Sequence, residues 1–162
     1  MILWRIATET RRYKATDMSG GGAASNPGRW NEENQPVVYA APSIAIAVLE
    51  TAAHINDGGL PLNRFVVRID VPDAVWDARE ELDVRSLAPT WAAIPAGATS
   101  IQLGSAWLQS QRSAILLVPS VIVPEERAAL INPAHADAKQ LRASVHRAFD
   151  YNRLFRGSGT PT

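Results

Sequence analysis

Apolar positions in this chain fall in short runs separated by polar, glycine- and proline-bearing stretches, and the period of each run predicts an element. Residues 2–6 (ILWRI) read as a first strand, and 37–40 (VVYA) as a buried one. Pro42-Ser43 then opens a helix with Ser43 as its N-cap, running to about residue 54 and stopping at 56–59 (NDGG). Ile46, Leu49 and Ala53 share its apolar face, with Glu50 one position off that face. Residues 64–71 (RFVVRIDV) alternate as a strand closed by Pro72. Residues 99–111 are expected as a helix with Leu103, Ala106 and Trp107 facing inward, and 114–118 (AILLV) form the strongest buried strand. Beyond a bend at 119–120, residues 121–123 are expected to continue that strand. Residues 124–127 read as a turn, 129–132 as a short strand and 137–142 as a helical turn or two. Residues 144–150 alternate as a last strand, and 157–162 form a frayed tail.

Two stretches resist this periodicity. Residues 73–97 hold Trp76 and Trp91 among several breakers, so turns and short helices around an aromatic anchor are expected. Residues 14–34 are polar and glycine-rich, with Ser19-Gly20-Gly21-Gly22 and then Asn26-Pro27-Gly28-Arg29, and predict a long loop. Loops of that length in a compact domain are usually functional or disordered. Whether residues 14–26 act as a lid is left open by the pattern. Short strands with few helices indicate a mixed α/β (α+β) domain and not a doubly wound sheet.

Composition narrows the chemistry. The 162 residues, 46% hydrophobic, suit one compact domain. Lys+Arg and Asp+Glu both total 16, so no net field draws the chain to nucleic acid or an anionic membrane. Cysteine is absent, which removes disulfides, thiolate nucleophiles and cysteine-ligated metals. No run approaches the ~20 apolar residues of a membrane span, and the expectation is a cytoplasmic protein without nucleic-acid or membrane partners. His54, His135 and His146 lack metal-ligand spacing, so no metal site is expected. The triple glycine is not followed by the Gly-Lys-Ser/Thr of a phosphate loop, and no Gly-x-Ser-x-Gly elbow is present.

Three local features remain. Arg29 lies beside a glycine-rich loop, where its planar fork can grip a phosphate or carboxylate. Tyr39 lies in or at the end of a buried strand, and Glu50 on the helix that follows, where a partly desolvated carboxylate is a candidate functional group. Spacing alone equally allows a loop-pinning arginine, a core tyrosine and a helix-surface acid.

The ordered blocks are more specific than any one residue: Leu3-Trp4-Arg5, Gly28-Arg29-Trp30-Asn31, Pro36-Val37-Val38-Tyr39-Ala40-Ala41, Ala47-Val48-Leu49-Glu50, Leu117-Val118-Pro119-Ser120, and Leu130-Ile131-Asn132-Pro133-Ala134-His135. With these, the chain resembles the RES-domain family, toxins of bacterial Xre–RES toxin–antitoxin modules, over residues 1–155, leaving 156–162 as a disordered tail. The resemblance implies a split-sheet fold similar to ADP-ribosyltransferases and diphtheria-type toxins. It implies degradation of NAD by cleavage of its nicotinamide–ribose bond, with water or phosphate as acceptor, and in a minority of relatives transfer of ADP-ribose to a protein; the alternative to an enzyme is a RES domain retained as a non-enzymatic binding module. NAD is then substrate, inorganic phosphate a possible co-substrate, and no bound cofactor is expected.

Residue by residue, the resemblance makes Arg29, Tyr39 and Glu50 the catalytic set and Arg5, Ser120 and Asn132 substrate-binding or supporting residues. Glu50 would stabilise an oxocarbenium-like ribose, Arg29 backed by Arg5 would hold the pyrophosphate, and Tyr39 would pack on the nicotinamide ring. Ser120 would orient Glu50 or the ribose; its alternative reading is a turn serine bonded to its own backbone. The implied partners are an Xre-type helix-turn-helix antitoxin and a second copy of the chain, in a homodimer within the complex.

Overall fold

The computed structural model describes residues 1–55 and 62–154. In chain order the elements are strand β1 (Ile2–Thr8), a short helix α1 (Gly21–Ser25), β2 (Val38–Ala40), α2 (Ile44–Ala52) and β3 (Arg64–Asp70). Helix α3 (Asp73–Asp77), β4 (Glu80–Glu81), α4 (Ala98–Ser110), β5 (Ile115–Pro119), β6 (Arg127–Ile131) and β7 (Arg142–Phe149) follow. Single 3-10 turns fill several of the connections.

Two sheets organise the domain, one with the order β1-β3-β7 and one with β2-β6-β5-β4. The first is antiparallel throughout, with Arg5 opposite Val67. The second is antiparallel except where β4 joins β5 in parallel, and it places Tyr39 opposite Leu130. Period-two alternation then assigns the faces. Leu3 and Ala7 of β1 pack with Val67 and Ile69 against Val38, Ile115, Leu117, Ala129 and Ile131, which form the core between the sheets. The other face of the second sheet carries Tyr39, Leu116 and Leu130 against Trp30, Trp91 and Trp107. The other face of the first sheet packs Ile6 and Val66 against Ile46 and Ala47 of α2.

The mixed α/β class and most strands match the sequence pattern; several details differ, each for a local reason. Residues 121–123 turn instead of extending β5, because Ser120 Oγ accepts hydrogen bonds from the amides of Ile122 and Val123. Ala53 is the C-cap of α2 and is exposed; Ala47 takes the buried position. Ala106 is also exposed, since the buried stripe of α4 runs through Ser100, Gly104, Trp107 and Leu108. Gly104 sets that orientation: a Cβ there would stand 1.8 Å from the Trp30 carbonyl oxygen. The long loop holds α1, with Ala15 and Gly20 buried. The helix stop at 56–59 and the tail at 156–162 lie outside the described residues. Among those described, no helix is long and apolar enough to cross a membrane.

Candidate functional site

The two sheets meet at one seam. Trp4 and Ala41 exchange both backbone hydrogen bonds, at 2.8 and 2.7 Å, and so couple β1 to the end of β2. Arg5 follows Trp4 and Tyr39 stands two residues before Ala41. Beyond Ala41, Ser43 caps α2 by accepting from the Ile46 amide, as its sequence position predicts, and Glu50 lies near the other end of that helix. Local chain geometry therefore brings the segments that carry Arg5, Tyr39 and Glu50 to one junction, with Arg5 on the face of Leu3 and Ala7 between the sheets and Tyr39 on the other face of the second sheet.

Tyr39 is held by its hydroxyl. The Oη accepts from the Trp30 amide at 3.1 Å and donates to Asn31 Oδ1 at 2.8 Å. Burial raises its pKa above the ordinary tyrosine value, against smaller opposing effects of the Trp30 amide and the Arg29 charge. The group is a neutral hydrogen-bonding anchor over the physiological range.

Arg29 is partly buried and oriented at one end. Its Nη1 donates to the carbonyl oxygens of Trp91 at 3.0 Å and Ala93 at 2.8 Å. Desolvation lowers its pKa, while the charge of Glu50 and then Tyr39 acts in the opposite sense. Arg29, Tyr39 and Glu50 therefore form one electrostatic group. No ion pair joins Arg29 to Glu50 among the described residues, and Glu50 Oε1 is buried without a hydrogen-bond partner. A carboxylate oxygen in that state is costly to maintain and is set up to receive a donor or a developing positive charge.

Arg5 carries its guanidinium into the interior beside the seam. Nη1 donates to the Asp17 carbonyl at 2.8 Å, desolvation lowers the pKa, and the Asp17 charge partly restores it. Ser120 and Asn132 are buried but are not hydrogen-bonded to this group. Ser120 holds its turn as described, the alternative that sequence left open. Asn132 donates from Nδ2 to the Leu108 carbonyl at 3.0 Å and accepts at Oδ1 from Ala134, tying the end of β6 to α4. The sequence reading assigned no role to Asn31, which is fully buried at the centre of the Arg29 loop. Its place in the Gly28–Asn31 run is visible in the sequence; its burial is not, because an asparagine in a polar, glycine-rich stretch reads as an exposed turn residue.

Among the described residues no cluster of three metal-ligating side chains occurs. The arrangement offers a cationic fork, a carboxylate with one free oxygen, and an aromatic ring between them in sequence. Such a set can hold an anionic ligand and stabilise positive charge beside it.

Comparison with known proteins identifies the family. The RES domain matches residues 2–152. A protein of Sphingobium sp. (strain YBL2) named "Prs ADP-ribosylating toxin" is 56% identical over 154 residues, covering 94% of this chain and 96% of that one. A "Toxin Res" of Yersinia enterocolitica is 35% identical over 150 residues, covering 90% and 92%. A chain from the crystal structure of the M. tuberculosis MbcT-MbcA toxin-antitoxin complex superposes with a TM-score of 0.58 at 18% identity, covering 96% of this chain and 86% of that one, a likeness of fold. With the motif blocks, the two-sheet fold and the domain match in agreement, the chain belongs to the RES-domain family.

Proposed function

We propose that the chain is the toxin of a toxin–antitoxin pair, that it breaks the nicotinamide–ribose bond of NAD, and that it passes the ADP-ribose to a protein. The observation that carries this reading is the buried, unpartnered Oε1 of Glu50 within the field of Arg29. In the reaction the C–N glycosidic bond breaks and its electron pair leaves with neutral nicotinamide. The oxocarbenium-like ribose that remains is stabilised by the Glu50 carboxylate. An acceptor lone pair then closes on the anomeric carbon, and the acceptor's proton passes to Glu50 or solvent. Arg29 uses the nitrogens not bonded to Trp91 and Ala93 to hold the pyrophosphate, with Arg5 as the second cation. The Tyr39 ring packs against the substrate, while Ser120 and Asn132 hold the backbone at the ends of β5 and β6.

The choice of acceptor rests on the relative at 56% identity, whose name makes it ADP-ribosylating toward Prs. The resemblance alone put water or phosphate first; at this identity a protein acceptor, with Prs the first to try, takes precedence. The partner is read as an antitoxin of helix-turn-helix type covering the site, with the chain a homodimer in that complex and acting in the cytoplasm. The test incubates the purified chain with NAD labelled in its adenylate half, with Prs, with total cell protein, and with phosphate alone. Label on Prs or another protein, with release of nicotinamide, is the expected result. Label confined to free ADP-ribose or its phosphate ester moves the acceptor to water or phosphate. Intact NAD in every arm overturns the proposal.

A further inference from the structure

We infer that Asn31 is a positioning residue that, with the Tyr39 hydroxyl, sets the pose of Arg29 toward substrate; this rests on the proposed NAD-cleaving role of the site. The carboxamide of Asn31 is fully buried and fully used. Its Oδ1 accepts from the Gly28 amide at 2.9 Å and from the Tyr39 hydroxyl at 2.8 Å. Its Nδ2 faces the carbonyl oxygens of Ala23, Glu32 and Gln35 at 3.0, 3.1 and 3.0 Å. The same Tyr39 hydroxyl takes the Trp30 amide. The amides on either side of Arg29, those of Gly28 and Trp30, thus end on two atoms that are themselves hydrogen-bonded to each other.

The consequence is specific to Arg29. Its backbone is fixed from one side by the Asn31–Tyr39 pair, and its Nη1 from the other by the Trp91 and Ala93 carbonyls. Between these clamps the rest of the fork is pre-oriented, and ordering it costs little when an anion arrives. Gly28 belongs to the same device: a Cβ there would stand 2.7 Å from Cζ and Oη of Tyr39, so the loop can approach the phenol only without a side chain. Tyr39 on this account acts through its hydroxyl as well as its ring.

Two variants separate the roles. Tyr39→Phe keeps the ring and removes the hydroxyl; Asn31→Ala removes the hub. Initial rates of nicotinamide release against NAD concentration give kcat and KM, with melting curves recorded beside them. Loss of the clamp should raise KM about tenfold in Tyr39→Phe and at least as much in Asn31→Ala, so that kcat/KM falls chiefly through KM. A variant that merely folds less well lowers the apparent kcat at unchanged KM. That result, or an unchanged KM in Tyr39→Phe, overturns the inference while the NAD reading stands. If Asn31→Ala fails to fold, Tyr39→Phe alone decides. A parent protein that releases no nicotinamide overturns the NAD reading itself.

Discussion

Arg29 and Glu50 stand within each other's electrostatic reach without forming an ion pair. Each is held by other means: Arg29 by two main-chain carbonyls, Glu50 by its place on α2. Two opposite charges kept apart in a partly buried setting mark a site whose complement is a ligand, because collapse into a salt bridge would be the cheaper resting state.

The first prediction concerns the cost of that arrangement. Glu50→Gln keeps the shape and removes the charge whose Oε1 lacks a partner. Nicotinamide release should fall by about 100-fold or more. Thermal stability should stay level or rise, since groups selected for function are often unfavourable for the fold. Calorimetry beside the rate assay checks both, and a large drop in melting temperature would make Glu50 a structural residue instead.

A pair of glycine variants separates space from composition. Gly28→Ala drives a methyl into the Tyr39 ring and should cost about 1–3 kcal/mol, with activity falling alongside. Gly22, inside α1, has nothing within 4 Å of a Cβ, so Gly22→Ala should be neutral or stabilise by about 0.5–1 kcal/mol. Denaturant unfolding of both proteins measures the difference. Equal effects at the two positions would refute the close approach of Gly28 to Tyr39.

What was legible in the sequence depended on range. The Ser43 cap and the buried β5 declare themselves within a few residues, since capping and hydrophobic runs are local. The two-residue β4 does not, because Glu80-Glu81 becomes a strand only through its parallel pairing with Leu116 and Leu117. Val121–Val123 misled in the opposite sense: three apolar residues carry strand propensity, but one hydroxyl, Ser120 Oγ, captures two of their amides. In the site, the types and order of Arg29, Tyr39 and Glu50 were readable. That Arg29 would be clamped by carbonyls more than sixty residues away was not, for no local pattern encodes such a contact.

Arg5 gives the third prediction. Its guanidinium is desolvated, and its one hydrogen bond among the described residues goes to the Asp17 carbonyl. Arg5→Met removes a desolvated cation but leaves the Asp17 carbonyl without this donor, so stability should fall by no more than about 1–3 kcal/mol. If Arg5 serves the pyrophosphate, KM for NAD should rise about tenfold or more and become less sensitive to salt. Titration of the rate against NAD at two ionic strengths tests this. Unchanged KM at both would remove Arg5 from the substrate-binding set.

The last prediction follows from the direction of the Tyr39 shift. Burial raises its folded-state pKa above the value near 10 of an unfolded tyrosine. The folded state then holds the phenolic proton over a range where the unfolded state releases it. By linkage, the Tyr39 contribution to stability is fully present below about pH 10 and is lost as pH rises toward the folded-state value. Chemical denaturation across that alkaline range should show the parent losing stability more steeply than Tyr39→Phe, which has no phenol to ionise. Phenolate absorbance of the native protein supplies an independent reading. Of the three tyrosines, Tyr39 and Tyr151 should ionise late, both raised chiefly by burial. Ionisation of Tyr39 below pH 10 in the folded protein would contradict the buried hydrogen-bonded phenol. It would also break the clamp on Arg29, because a phenolate has no proton to give Asn31 Oδ1.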